Sequence, residues 1–380
     1  MYDVAVIGGG AAGFFAALRA KSLRPELKVA IFEKSGALLS KVRISGGGRC
    51  NVTHHQFDPV LLSKNYPRGS KELLGLFHRF GPLDTIAWFK ERGVELKTEK
   101  DGRMFPITDS SETIINALVG EAKELGVEIR LKEKITTLPE AKTLILASGS
   151  SPDGYEIARS YGHTIVPTVP SLFTFNIPTS PLKELSGIAI QDVKVTIDGF
   201  SMSQRGPLLI THFGFSGPAV LKLSAWAARF LHEKGYLADV HIDWLSSIKA
   251  YPILLNYKKE HPKKVMSTDN PFQFPKNFWK LFSMDKPWKD VSDKDLLILA
   301  EKLHNDVYKM EGKTTHKEEF VTAGGVMLKE VDFRTMQSKI APHLFFAGEI
   351  LDIDGVTGGF NFQNAWSTGY TAGQSAASLC

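Results

Sequence analysis

Tyr2–Ile7 is an apolar run of strand length, and a glycine-rich stretch follows it directly. Apolar residues then recur in a helical pattern to about Leu23, where Pro25 closes the segment. Lys28–Phe32 reads as a second strand. The order strand, turn, helix, strand is the β-α-β opening of a doubly wound sheet. Helical patterns recur at Lys71–Phe80 and Leu83–Arg92, and two β-like runs between Val94 and Phe105 flank the turn signal Asp101-Gly102. Asp109 with Glu112 three residues on predicts a capped start to a helix over Ile114–Leu125. Val127–Arg130 and Leu144–Ala147 read as strands.

From about Val166 the pattern changes. Prolines cluster, and short β-like runs fall at Leu172–Ile177, Val193–Ile197 and Leu208–Thr211. Gly217-Pro218 opens a helix to about Leu231, Ala238–Ile242 is another strand, and Asp293–Leu303 is helical. Strand character returns at Leu344–Ala347, and the last helix covers about Asn361–Ala377. The expected architecture is therefore α/β, with one discontinuous nucleotide-binding domain (residues 1–165 and 322–380) and an insertion (166–321). The insertion reads as β-rich over about 166–245 and mainly helical over about 246–321. No internal repeat is evident.

Composition narrows the class. With 380 residues, 43% hydrophobic and 23% charged, the chain has the make-up of an ordinary globular protein. Cys50 and Cys380 are its only cysteines, which excludes a disulfide-built scaffold and favours a reducing, cytoplasmic setting. The 46 basic and 41 acidic side chains leave +5, which permits an anionic ligand without demanding nucleic acid or a membrane surface. The uncharged stretch between Asp3 and Arg19 is 15 residues, short of the roughly 18 a span needs. It lacks a basic leader and is broken by glycines, so it does not read as a signal peptide. The uncharged tail Gly355–Cys380 is polar rather than apolar and needs another explanation.

Gly8-Gly9-Gly10-Ala11-Ala12-Gly13 fits G-x-G-x-x-G after a strand and at the start of a helix. Gly8 permits the tight turn, Gly10 lets a pyrophosphate approach the backbone, and Gly13 lets helix and strand pack closely. The helix N-terminus offers free N–H groups and partial positive charge to phosphates. Glu33, twenty residues beyond Gly13 and followed by Lys34, is placed to accept hydrogen bonds from a ribose. The fingerprint alone does not separate FAD from NAD.

Ser45-Gly46-Gly47-Gly48-Arg49-Cys50-Asn51 follows the second strand by about ten residues. Consecutive glycines allow an anion-binding nest, Arg49 adds a planar cationic fork, and Asn51 adds a donor and an acceptor. The segment Ser45–Thr53 strongly resembles the BaiN/YhiN-like, or aminoacetone-oxidase-like, flavoproteins. The resemblance extends in family order through Met104-Phe105-Pro106, Thr211–Pro218, Val321–Val326, Phe346–Glu349 and Gly358–Asn361. It departs from the family pattern at Phe360, where the family has Tyr, and at Phe362, where it has Leu. The resemblance implies non-covalent FAD, a Rossmann-like two-dinucleotide FAD fold and an insertion with a β-barrel-like and a helical part. It also implies that Ser148-Gly149, at a strand end, lie near FAD, and that Glu349 after Gly348 holds ribityl hydroxyls. Asp352 and Asp354 fit either that role or solvated loop carboxylates. Gly358-Gly359 precede the last helix, whose N-terminus at Phe360 and Asn361 would face the N1/O2 edge of the flavin. Small uncharged residues in the tail would let it pack closely against the flavin and the fingerprint helix.

Other chemistries find less support. Cys50 has no neighbouring cysteine, which excludes a dithiol reductase; it reads as a packed small residue or as a flavin contact. Gly214-Phe215-Ser216-Gly217-Pro218 nearly matches a nucleophile elbow, but Pro218 replaces the last glycine, so Ser216 reads as a helix cap. The scattered histidines carry no metal-ligand spacing, and no metal is expected. No second fingerprint occurs, so a pyridine nucleotide would act only as a transient reductant. The expected partner is a small-molecule substrate, with no catalytic residue assigned and the oligomeric state left open. The alternative is an FAD-assisted nucleic-acid-modifying or RNA-binding protein. Gly10→Val is expected to abolish dinucleotide binding by blocking the pyrophosphate; a variant that still purified yellow would show the fingerprint misread.

Overall fold

A computed structural model describes residues 1–135, 138–314 and 321–380. The chain divides into two compact units, Met1–Ser171 with Lys317–Cys380, and Leu172–His316. Residues 166–171, expected in the insertion, belong to the strand Ile165–Ser171, which pairs antiparallel with Val321–Val326 in the first unit.

The first unit is built on a seven-stranded sheet. Its order is Glu128–Leu131, Val29–Glu33, Tyr2–Ile7, Ala141–Leu146 and Leu344–Phe346, all parallel, then Gln337–Ser338 and Val331–Asp332, antiparallel. Val4, Ala5, Val6, Ala30 and Ile31 are fully buried. Both faces of these strands are covered, which is why the first two read as continuous apolar runs without alternation. The crossover between the first two strands is the helix Ala11–Leu23. Leu344–Phe346 joins the sheet beside Ala141–Leu146 from the far end of the chain, and this makes the unit discontinuous.

The last helix, Phe360–Leu379, packs against Ala11–Leu23. Gly369 and Gly373, four residues apart, lie on one face and leave no room for a side chain. A Cβ at Gly373 would sit 2.1 Å from the carbonyl oxygen of Ala16, and one at Gly369 would sit 2.5 Å from that of Ala12. Other positions of the helix reach further: Trp366 Nε1 donates to Val52 O, Ser367 Oγ to Phe80 O, and Gln363 Oε1 accepts from Thr53 and Thr85. The uncharged tail is thus a buried helix whose small residues allow backbone-to-backbone approach and whose polar residues bond inward. Among the described residues no helix is long and apolar enough to cross a membrane.

The expected cap at Asp109 is replaced by Ser110, whose Oγ accepts from Glu112 N in front of the helix Ser111–Glu124. A capping residue is extended. Ser110 is, at φ −129 and ψ 125, whereas Asp109 is left-handed at φ 52 and pairs with Lys97 and Arg49.

The second unit holds another seven-stranded sheet, antiparallel throughout. Its order is Asp306–Glu311, Leu237–Asp243, Ala189–Ile197, Ser203–Ile210, Gly214–Ser216, Thr174–Asn176 and Lys313–Thr314. The two end strands are consecutive in the chain, separated only by Gly312 at φ 97. One run of chain therefore supplies both edges, and the sheet returns on itself as a barrel does. Phe175, Val195, Leu208, Phe215 and Val240 fill its core, and Trp244, Phe278, Trp279 and Trp288 extend that core under the helices Ala250–Glu260 and Asp293–His304. The aromatics of the 272–288 region are packing residues. Ser216 is not a helix cap: it ends a strand opposite Leu209, its Oγ accepts from Thr174 Oγ1 at 3.1 Å, and Gly217 caps the helix that begins at Pro218.

Gly373→Ala is expected to lower stability by ~1–3 kcal/mol through overpacking, seen as a lower midpoint in urea unfolding. An unchanged midpoint would show that the two helices do not meet at this contact.

Candidate functional site: two glycine-led helix starts

The glycine-rich turn is set by close contacts. Gly8 is at φ 115, and a Cβ there would lie 2.4 Å from Ala147 O. A Cβ at Gly13 would lie 1.9 Å from Gly8 O, and one at Gly9 2.8 Å from Leu38 Cδ2. Gly10 differs, since a Cβ there meets no atom within 4 Å. Gly8 and Gly13 hold the turn together, and Gly10 is open to approach. The helix beyond Gly10 has no side-chain cap and no acidic residue in its first turn, Ala11 to Gly13. A free helix N-terminus of this kind favours an anion.

Glu33, at the end of the second strand, holds the turn from below. Its Oε2 accepts from Gly9 N at 2.9 Å and its Oε1 from Ser35 N at 2.8 Å. Lys34 is committed elsewhere: Nζ donates to Ser151 Oγ at 2.6 Å and pairs with Asp153 at 3.1 Å.

The segment Ser45–Asn51 is more ordered than a flexible loop. A helix from Ser40 breaks at Ser45 (φ −61, ψ 145), after which Gly46, Gly47 and Gly48 are left-handed at φ 59, 69 and 82. Only at Gly46 does space also demand glycine, because a Cβ would lie 2.9 Å from the Phe105 ring. The N–H groups of Arg49 and Cys50 turn inward to Ser45 O. Arg49, expected as a cationic fork for an anion, lies 3.9 Å over the Phe105 ring and pairs with Glu99 at 2.7 Å and Asp109 at 3.4 Å. Cys50 is fully buried at φ 61, and burial pushes its thiol up to about 12. Asn51, with its amide oriented to suit both neighbours, accepts from Gly359 N at 2.9 Å and donates to Thr53 O at 3.1 Å. The segment is thereby tied to the start of the last helix.

Around Glu349 a second cluster forms. Gly348, at φ 76, donates its N–H to Thr368 Oγ1 at 2.9 Å, and a Cβ on it would touch Ala12 Cβ at 2.8 Å. Glu349 pairs with Lys41 and accepts from Thr322 N at 3.1 Å. Gly149 lies beside it, 3.8 Å from Oε2 to a Cβ built there, and Ser148 borders Gly8. Among the described residues nine buried side-chain polar atoms lack a hydrogen-bond partner, and four of them lie here or on the last helix: Ser148 Oγ, Tyr155 OH, Thr322 Oγ1 and Asn364 Oδ1. Burial, with the charges of Glu349 and Asp352, raises the Tyr155 phenol above its ordinary range. Buried polar groups without partners are costly, so a bound ligand or ordered water is needed to satisfy them.

The last helix begins at Phe360 behind Gly359, which is left-handed at φ 93; a Cβ on Gly359 would lie 2.5 Å from Thr53 O. This helix start also lacks a side-chain cap and first-turn acid. The side chain of Asn361, expected beside the N1/O2 edge of the flavin, bonds Gly355 in both directions, accepting N–H at 2.8 Å and donating to the carbonyl at 2.9 Å. It shapes the loop before the helix. Asp354 is not a solvated carboxylate: it is fully buried, paired with Arg68, and accepts from Ser171 Oγ at 2.6 Å. Gly8, Ala12, Ser148 and Gly348 are thus brought together, as are Gly149 with Glu349 and Asn51 with Gly359. Lys34 and Arg49 are held by acids. Lys41 and Tyr155 went unread in the sequence, and Thr322 was read only as part of the family-like run Val321–Val326; the signal for Lys41 is its place four residues before Ser45.

A family model described as the HI0933-like protein Rossmann domain matches residues 2–148 and 140–375. The ribosomal RNA dihydrouridine synthase of Escherichia coli (strain K12) is 28% identical over 405 residues, covering 98% of this chain and 97% of that protein. The 3-dehydro-bile acid delta(4,6)-reductase of Clostridium scindens is 28% identical over 411 residues, covering 99% of both. Among solved structures, an open-conformation flavocytochrome c3 fumarate reductase aligns with TM-score 0.51 and 18% identity over all of this chain and 78% of its own. The 3-ketosteroid delta1-dehydrogenase of Sterolibacterium denitrificans aligns with TM-score 0.51 and 12% identity over 99% of both. These two structures share the fold.

A buried, protonated thiol is inert. At pH 8 the native protein is expected to yield at most one thiol per chain to a thiol reagent, from half-buried Cys380, and two in urea. Rapid labelling of Cys50 in the native state would contradict its burial.

Proposed function

The chain belongs to the HI0933-like Rossmann family, and from that premise we propose that it is an FAD-dependent oxidoreductase with non-covalently held FAD. The observation that carries this reading is the fingerprint helix, which starts at an open Gly10 with neither cap nor acid. The N–H groups of Ala11, Ala12 and Gly13 would hold the pyrophosphate. Glu33 would hold the adenosine ribose while steadying Gly9. Ser148, Thr322 and Glu349 offer oxygens to a hydroxyl-rich ligand, two of them buried hydroxyls that lack a partner. The start of the last helix offers N–H groups and partial positive charge where a reduced flavin is negative. Gly46, Gly47 and Asn51 border that helix start through the Asn51–Gly359 bond. When bound, FAD supplies hydride acceptance and donation; the chain supplies binding, orientation and electrostatics.

The substrate in this reading is a small molecule, with NAD(P)H as a transient reductant. The Clostridium scindens relative, a reductase of a 3-dehydro-bile acid, supports a small substrate with an unsaturated ring. A second reading, in which the substrate is RNA, is supported by the dihydrouridine synthases of Escherichia coli and Haemophilus influenzae, each 28% identical to this chain. Two cysteines without a disulfide suit the reducing cytoplasm in either case.

The purified protein is expected to be yellow and to release FAD on denaturation. Under anaerobic conditions NAD(P)H should bleach it, and a ring ketone with a conjugated double bond should restore the colour. Restoration by uridine-containing ribosomal RNA alone, lost as salt is raised, would replace the first reading with the second. A colourless protein that cannot be reconstituted with FAD would refute both.

A further inference from the structure

Tyr66 lies outside every motif that carries the family resemblance, yet it is fully buried and its hydroxyl donates to the carbonyl oxygen of Phe360 at 2.6 Å. Phe360 is the first residue of the last helix, and its carbonyl belongs to the same peptide unit as the N–H of Asn361. The first N–H of this helix to find a backbone acceptor is that of Gln363, which donates to Gly359 O at 3.0 Å. Among the described residues, those of Phe360, Asn361 and Phe362 have none, as the geometry of a helix start requires. A hydrogen bond accepted at the carbonyl end of an amide polarises its N–H end, so bonds in such a chain strengthen one another.

Tyr66 is held for this contact. Its ring meets Phe77 at 5.4 Å and stands edge-on to Phe360 at 6.1 Å. A Cβ on Gly355 would be 3.1 Å from the Tyr66 ring. On either side of it, Asn65 O accepts from Val356 N at 2.9 Å, Arg68 pairs with buried Asp354, and Gly69 fits against Ile353. The segment 65–69 thus clamps the loop 353–360 that leads into the helix. Burial raises the phenol above its ordinary range, so it remains a donor at working pH.

Resting on the FAD reading above, we propose that Tyr66 is a positioning residue that tunes the flavin. By donating to the Phe360 carbonyl it strengthens the Asn361 N–H toward the negative N1/O2 edge of reduced flavin, and so raises the reduction potential.

The test compares wild type with Tyr66→Phe, which keeps the ring and removes the donor. Thr85→Val is the control, since it removes a buried hydroxyl bonded to Gln363 of the same helix and leaves the Phe360 peptide alone. FAD content is measured first; wild type without FAD would defeat the function proposed above rather than the role of Tyr66. Midpoint potentials are then measured by anaerobic equilibration with redox dyes. Tyr66→Phe should bind reduced flavin about threefold less well relative to oxidised flavin, a negative shift of roughly 15 mV for a two-electron couple. Thr85→Val should leave the potential unchanged. 3-Fluorotyrosine at position 66, a stronger donor, should shift the potential the other way. A wild-type potential in Tyr66→Phe, an equal shift in Thr85→Val, or no rise with fluorotyrosine would overturn the proposal.

Discussion

The first unit depends on two helices meeting backbone to backbone. Where Gly369 and Gly373 cross Ala12 and Ala16, the space for a side chain is filled by carbonyl oxygens of the partner helix. Such a contact has little tolerance, because protein interiors are packed as densely as organic crystals. It fixes the distance between the first helix of the chain and the last. Everything that lies at their N-terminal ends inherits that precision. Gly348 touches Ala12, Thr368 holds the Gly348 N–H, and Trp366 and Gln363 grip the strand that follows Asn51. Residues from opposite ends of the sequence come into register through this one crossing.

The electrostatics of the site follow from what its formal charges already do. Lys34 faces Asp153, Lys41 faces Glu349, and Arg49 faces Glu99 and Asp109. Partly exposed pairs of this kind contribute only ~0–1 kcal/mol each. Their larger effect is to cancel local cationic charge. The peptide backbone adds positive potential of its own, roughly half a charge at each helix N-terminus. Helix starts of this kind favour an anion lying along the helix axis. This also explains the missing first-turn acids, which would compete for the same N–H groups.

Much of this is legible in the sequence. The β-α-β opening could be read because apolar runs of strand length, glycine spacing and the closing Pro25 agree, and the uncharged tail could be read as close packing. What escaped reading depended on pairing across the chain. Arg68 and Asp354 are 286 residues apart, and no local pattern announces that they meet. Arg49 looked like a free cation because Glu99 and Asp109 lie far along the sequence. Asn361 escaped reading within its own loop, through reciprocal bonds to Gly355 six residues back. The two misplaced caps failed for a local reason: Asp109 is left-handed and Ser216 is held in a β-ladder, so neighbours with the required geometry took over.

The closed sheet of the second unit bears on how such a chain can be assembled over evolutionary time. The same run that closes the sheet through Gly312 sets Thr314 opposite Thr174 and Lys313 opposite Phe175, so this unit begins and ends as neighbouring strands. In the first unit, Ser171 and Val321 are likewise paired across the gap the insertion leaves. The first unit therefore carries the second as a loop already pinned at its neck, and loop-closure entropy grows only slowly with length. An interruption of well over a hundred residues then adds little to the difficulty of forming the parallel sheet. A cassette with adjoining ends can be enlarged, trimmed or exchanged while the two glycine-faced helices keep their crossing.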